Sequence, residues 1–202
     1  MIPEKLLRKY GARVVEFRKG QVVFHEGAGA SHFFLVRTGK VKMVNVSEEG
    51  KEFVQGFFTE GQSFGEPPFF SNTPYPASAV AVQASSVWQC PHDGFLRLLR
   101  DHSDVHLRLT QVLSGRLLYK SMMLSEIAIK EAEHRLLTLI RYMGQASAGQ
   151  DGAVLPLTRQ QLADMTGLRV ETVIRSVKAL ERKKVLSLDA EGKIRIIADH
   201  RL

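Results

Sequence analysis

Apolar and polar positions change rhythm once along this chain. From about Phe17 to Trp88 the apolar stretches are short: Val22-Val23-Phe24, Phe33 to Val36, Val41 to Val44 interrupted by Lys42, Phe53-Val54, and Ala79 to Val82. Glycines at 20, 27, 29, 39, 50, 56, 61 and 65 punctuate them. Short strands with frequent turns predict an antiparallel sandwich or jelly roll. Ser47-Glu48-Glu49-Gly50 reads as a hairpin tip, with glycine where φ must be positive. Beyond Pro91 the period becomes helical. Asp93 to Arg100 predicts a short helix, and Ser103 to Lys130 a long one, free of proline and with a single glycine at 115. At 1.5 Å per residue the long helix would run roughly 40 Å. Leu109, Val112, Leu113, Leu117, Leu124 and Ile127 form its apolar stripe, and Leu118, Tyr119, Met122 and Met123 widen it. A helix apolar on more than one side must bury more than one side. It is therefore expected to pack on its own β domain and on a second copy of itself, giving a homodimer. The alternative is a single helix wrapped into one core. Glu131 to Met143 predicts another amphipathic helix, and Gly144 to Gly152 a polar loop, so a domain boundary is expected near 128–133.

Composition narrows the class. The chain has 202 residues, 44% of them hydrophobic and 24% charged, which is ordinary for a globular protein. No apolar run exceeds four residues, far short of the ~20 a membrane helix needs. The start, Met1-Ile2-Pro3-Glu4-Lys5, lacks a basic-then-apolar leader, so a soluble, cytoplasmic protein is expected. A lone Cys90 excludes an intrachain disulfide, a thiolate zinc site and a four-cysteine iron–sulfur cluster within one chain. No phosphate-binding Gly-rich loop or nucleophile elbow is present, so the chain does not read as an enzyme. The net charge of +7 is spread along the chain. Residues 169–184 nevertheless concentrate six cations (Arg169, Arg175, Lys178, Arg182, Lys183, Lys184) against Glu171 and Glu181.

That basic segment closes the strongest motif. Thr158 can cap a helix whose third residue, Gln161, reaches back to complete a capping box. Leu162 and Ala163 point inward, and Thr166-Gly167-Leu168 supplies a tight turn. A second helix buries Val173, Val177 and Leu180. This is a helix-turn-helix, whose second helix enters the DNA major groove by its amino-terminal end. Arg169, Glu171, Thr172 and Arg175 lie on the face presented there. Arginine can bond guanine O6 and N7, and glutamate can accept from cytosine N4. Glu171 and Arg175, one turn apart, project together. Val185 to Ile197, turning through Asp189 to Gly192, reads as a β-hairpin wing.

The β region carries a second signal, Val23-Phe24-His25-Glu26-Gly27-Ala28-Gly29, continuing through Phe33 to Gly39 and followed by Phe64-Gly65-Glu66. This resembles the cyclic-nucleotide-binding jelly roll and the start of its phosphate-binding cassette, with Phe24 standing where a small aliphatic is usual. Together with the winged helix-turn-helix, the chain over about residues 10–200 resembles the Crp/Fnr family of transcription regulators.

The resemblance implies an α+β architecture: an effector-sensing jelly roll at 1–102, a dimerisation helix at 103–130 and a winged helix-turn-helix at 131–202. Phe64, Gly65, Glu66, Pro76 and Ala77 would line the effector pocket. Members that respond to cyclic AMP place an arginine–serine or arginine–threonine pair about ten residues after Gly-Glu, where a cationic fork meets the phosphate. Here Pro76-Ala77-Ser78 stands there, and no lysine or arginine lies between Lys51 and Arg97, so the effector is expected not to be cyclic AMP. The apolar set Phe57, Phe58, Phe64, Phe69, Phe70 and Tyr75 would suit a hydrophobic or planar effector, or more simply fills the space itself. The oxygen-sensing branch holds its cluster on amino-terminal cysteines, absent here. Haem, used by some members, would need one of His25, His32, His92, His102, His106, His134 or His200, and is the weaker alternative. On the DNA side, Glu171 and Arg175 match the family's reading pair. Val170 in place of a further arginine implies a palindrome of TTGAT-like rather than TGTGA half-sites, with the Ile174 position unsettled. Thr158, Arg159 and Lys178 would touch phosphate, with Arg182 joining them if exposed, while Lys183 and Lys184 read as a solvated helix end. RNA polymerase is the implied protein partner. A ligand-binding module serving other machinery is the rival reading; it explains residues 17–90 but leaves 158–197 without a purpose.

Overall fold

The computed structural model describes residues 2–129, 131–146, 154–155 and 157–196. Of the expected polar loop at 144–152, residues 144–146 are helical instead, continuing the preceding helix, and 147–152 lie outside the described residues, as does His200. The chain divides into two compact units, Met1–Gln111 and Val112–Leu202.

The first unit contains, in chain order, α1 (Glu4–Lys9), β1 (Arg13–Phe17), β2 (Val22–Phe24), β3 (His32–Thr38), β4 (Lys40–Val46), β5 (Glu52–Thr59), β6 (Ser63–Phe64), α2 (Glu66–Ser71), β7 (Ser78–Ala81), β8 (Ser85–Pro91) and α3 (His92–Asp101). The strands form two antiparallel sheets of four, ordered β1-β8-β3-β6 and β2-β7-β4-β5. Non-consecutive neighbours in both sheets make this a jelly roll rather than a meander. One core lies between the sheets, drawing Phe34 and Val36 from β3, Val41 and Met43 from β4, Phe64 from β6, Ala79 from β7 and Val87 from β8. The tip at Ser47–Gly50 forms as expected, closed by the Gly50 amide donating to the Ser47 carbonyl.

Five elements went unforeseen, one of them β1, which lies ahead of the point near Phe17 where the strand pattern was read to begin. Helix α1 is too short for a period to show, yet it buries Leu7 completely and lays the Arg8 guanidinium over the Trp88 ring. Helix α2 opens Glu66-Pro67-Pro68, which reads as a breaker; prolines in a first turn cost nothing, because their missing N–H groups would be unpaired there anyway. Strand β8 is buried on both faces and so lacks alternation, and β6 is only two residues long.

Helix α4 (Ser103–Ile129) follows, within the span predicted for it. The second unit then has α5 (Ala132–Ala146), α6 (Arg159–Thr166), α7 (Val170–Arg182), β9 (Leu186–Leu188) and β10 (Ile194–Ile196). Helix α5 packs on α6, α7 and β10. Leu136, Leu139 and Ile140 from α5, Leu162 from α6, Val173, Val177 and Leu180 from α7, Leu186 and Ile194 are all buried. Strands β9 and β10 pair antiparallel as the predicted hairpin.

Candidate nucleic-acid interface and effector pocket

Helix α6 starts with a complete capping box. The Gln161 amide donates to Thr158 Oγ1 at 3.1 Å, and the Thr158 amide donates to Gln161 Oε1 at 3.1 Å. At its other end Gly167 takes φ +68°, a left-handed conformation that side chains other than glycine adopt at a cost, and this ends α6. Thr166 is buried and donates its hydroxyl to the Leu162 carbonyl at 2.7 Å. Helix α7 begins two residues after the turn. Its buried side is Val173, Ser176, Val177 and Leu180; Glu171, Ile174, Arg175, Lys178 and Arg182 form a continuous exposed stripe opposite. Arg169, at the amino-terminal cap, is exposed as well, whereas Thr172 is half-buried.

Arg159 and Lys183 are engaged by distant parts of their own chain. Arg159 is half-buried and donates Nη2–H to the Gly192 carbonyl at 2.9 Å, tying the start of α6 to the wing turn. Loss of hydration holds its pKa below the usual arginine value, despite the charge of Glu181. The two segments border a cleft of about 440 Å³ lined by Thr158, Arg159, Glu191 and Lys193 among others. Lys183 pairs with Glu133 of α5 at 2.5 Å, so it does more than cap a solvated helix end. Neither contact was legible, because each joins segments far apart in sequence.

The residues expected at the effector pocket sit against a cluster of packed aromatic rings. Phe64, Gly65, Glu66 and Ala77 are buried, while Pro76 is exposed. Phe24 stacks on Tyr75 with ring centroids 3.7 Å apart and 15° between planes, and Phe34 lies 5.2 Å from Phe24 and 5.4 Å from Phe64. Gly65, at φ +77°, is the close-approach point: a Cβ there would stand 3.2 Å from both Phe24 and Tyr75. The polar groups of the following loop are also taken. Asn45 Nδ2 donates to the Pro76 carbonyl at 2.6 Å, and Ser78 Oγ accepts from the Glu26 amide at 2.9 Å. Burial and the neighbouring Glu66 push the Tyr75 hydroxyl up to about 12.

The aromatic set named from the sequence does not form one lining. Phe58 joins Phe64 and Tyr75, but Phe69 packs on His92 and Phe95, Phe57 lies under the Lys40 ammonium, and Phe70 is exposed. The reason is the two-residue alternation of strand and the separate helix α2, which send neighbouring aromatics to different sides. The histidines are dispersed too. His32 bonds Ser31, His92 bonds Asp93, and His134 stands 3.5 Å from Glu126. Partial burial lowers the His32 pKa, with Arg13 adding to the effect. Among the described residues no three His, Cys, Asp or Glu side chains converge as metal ligands.

Along α4, Val112, Leu117, Leu124 and Ile127 are exposed, Leu113 is half-buried and Leu109 is buried within the chain. Leu107, Leu118 and Met122 are exposed as well. The result is an apolar surface that one copy of the chain leaves facing water. No helix among the described residues is long and apolar enough to cross a membrane.

Residues 14–102 match the family described as "Cyclic nucleotide-binding domain", and residues 134–202 match "Crp-like helix-turn-helix domain". Among curated relatives, the fumarate and nitrate reduction regulatory protein of Yersinia pestis is 27% identical over 175 residues, covering 85% of this chain and 70% of that one. The cAMP-activated global transcriptional regulator CRP of Pasteurella multocida is 26% identical, covering 87% and 85%. In fold, the chain is similar to FixK2 from Bradyrhizobium japonicum, with a TM-score of 0.76 at 22% identity over 93% of each chain. The first of these relatives is named as a regulatory protein and the second as a transcriptional regulator.

Proposed function

We propose that this chain, which belongs to the Crp/Fnr family of transcription regulators, works in the cytoplasm as a homodimer that places two copies of α7 in a palindrome of TTGAT-like half-sites. One observation carries the reading: the capped α6, the Gly167 turn and the exposed Glu171–Arg175 stripe on α7 form a rigid helix-turn-helix with its reading face uncovered. Glu171 and Arg175 read base edges, with Arg169 and Thr172 beside them; Thr158, Arg159 and Lys178 face phosphate. Arg159 can do so while holding the wing, since a guanidinium has five N–H donors and Gly192 uses one. The division into a sensing domain at 1–102, a dimer helix at 103–130 and a DNA-binding domain at 131–202 follows from these roles. The apolar face of α4, with Val112, Leu117, Leu124 and Ile127, supports pairing of two such helices, and RNA polymerase is the partner at a promoter.

Activation by cyclic AMP, the property in the name of the Pasteurella relative, does not carry over to this chain. Pro76 replaces the phosphate-binding cation, and the Phe24–Tyr75 stack occupies the interior. The signal that reaches the jelly roll is accordingly another effector, or none is needed for binding. Fluorescence anisotropy of the ligand-free protein on a TTGAT-N4-ATCAA duplex, across a salt series, tests this. Tight binding that weakens with salt and is lost on a scrambled duplex is expected; equal affinity for both duplexes overturns the base-reading assignment.

A further inference from the structure

Ile174 is 40% exposed, the one large apolar side chain left open among the described residues of α6, α7 and the wing. Its place is what gives it meaning. It sits inside the charged stripe of α7, one turn from Glu171 and Lys178 and next to Arg175. On the free protein two-fifths of its surface faces water, and a β-branched residue is a weaker helix former than alanine or leucine. In a helix its χ1 has one dominant rotamer, so its methyl groups are held outward in a fixed direction.

Arg175 and Lys178 beside it, with Arg182 two turns further along the same stripe, favour a polyanion over an apolar protein partner. On the floor of the major groove, the apolar group that projects is the C5-methyl of thymine. We propose that Ile174 is a specificity-determining residue that reads a thymine methyl group beside the base pairs contacted by Glu171 and Arg175. This rests on the assignment of α7 to the major groove and deepens it, because the base at this step is selected by apolar contact instead of a hydrogen bond.

The test uses the full chain and a site obtained by random-sequence selection, so it does not depend on the TTGAT expectation. Each thymine of that site is replaced in turn by deoxyuridine, which removes the methyl and keeps every hydrogen-bonding group. One thymine in each half-site is expected to weaken binding about three- to fivefold when its methyl is lost, as burial of a single methyl-sized group implies. In Ile174→Ala that sensitivity disappears at the same thymine, while Ile174→Val retains most of it. The dependence of affinity on salt stays unchanged in Ile174→Ala, whereas Lys178→Ala lowers it. Ile174 is exposed, so its truncation leaves the fold intact, which an unchanged melting curve verifies. Uracil sensitivity that is absent from the parent protein, or that persists in Ile174→Ala, overturns the proposal while the groove assignment stands. Failure of the parent protein to select any site overturns both.

Discussion

The inside of the jelly roll and the outside of α7 are built on opposite terms. Around Phe24, Phe64 and Tyr75 every large ring meets another ring, and in the nearby loop the Pro76 carbonyl and the Ser78 hydroxyl are bonded to Asn45 and the Glu26 amide. On α7 the long side chains Glu171, Arg175 and Lys178 extend into water above a dry, well-packed base of Val173, Val177 and Leu180. A closed region contributes stability and leaves little to recognise; an open, rigidly mounted one does the reverse. The contrast makes each region answer to a different kind of perturbation.

The largest effect is expected from opening the closed region. Phe24→Ala removes a ring stacked on Tyr75 and should destabilise the protein by about 3–5 kcal/mol in urea unfolding. A small aromatic solute such as indole should restore part of that loss by occupying the space. Destabilisation below about 1 kcal/mol would mean that the stack is not a core contact. The same region answers to high pH. Tyr75 has its hydroxyl pKa raised from 10.0 to about 12, so its neutral form stabilises the fold below pH 10 and that contribution fades as pH rises from 10 to about 12. Unfolding curves at pH 9 and pH 11.5 should differ more for the parent protein than for Tyr75→Phe; an identical pH dependence would contradict the assignment.

Perturbing the open region should spare stability and change selectivity. Arg175→Ala is expected to lose ~1–3 kcal/mol on the specific duplex and to relax discrimination at one base pair. An equal loss on a scrambled duplex would assign Arg175 to phosphate. The smallest effect belongs to the mount beneath it. Thr158→Ala breaks the capping box of α6 and should cost about 1 kcal/mol of stability, with Thr158→Ser recovering most of it. A thermal melt of the three proteins decides the point.

Much of this site was legible because its determinants are local. Thr158 with Gln161, Gly167, and the spacing of Val173, Val177 and Leu180 each act within one or two helical turns, so the helix-turn-helix followed from residue order. The absence of a cation near Pro76 was equally plain. The fate of the aromatic residues was not. Phe58, Phe64 and Tyr75 converge while Phe57, Phe69 and Phe70 diverge, and only the pairing of β3 with β6 and of β4 with β5 decides which ring faces which.

By itself, then, the sequence determined a jelly roll followed by a long helix and a winged helix-turn-helix, along with the charged face of α7, because period, capping and turn chemistry operate over a few residues. Only the tertiary structure decided that Phe24 and Tyr75 would close the interior, that Arg159 would hold the wing at Gly192, and that Lys183 would reach Glu133. Those contacts join residues 33 to 51 positions apart. Their geometry is fixed by how sheets and helices pack, which no local pattern encodes.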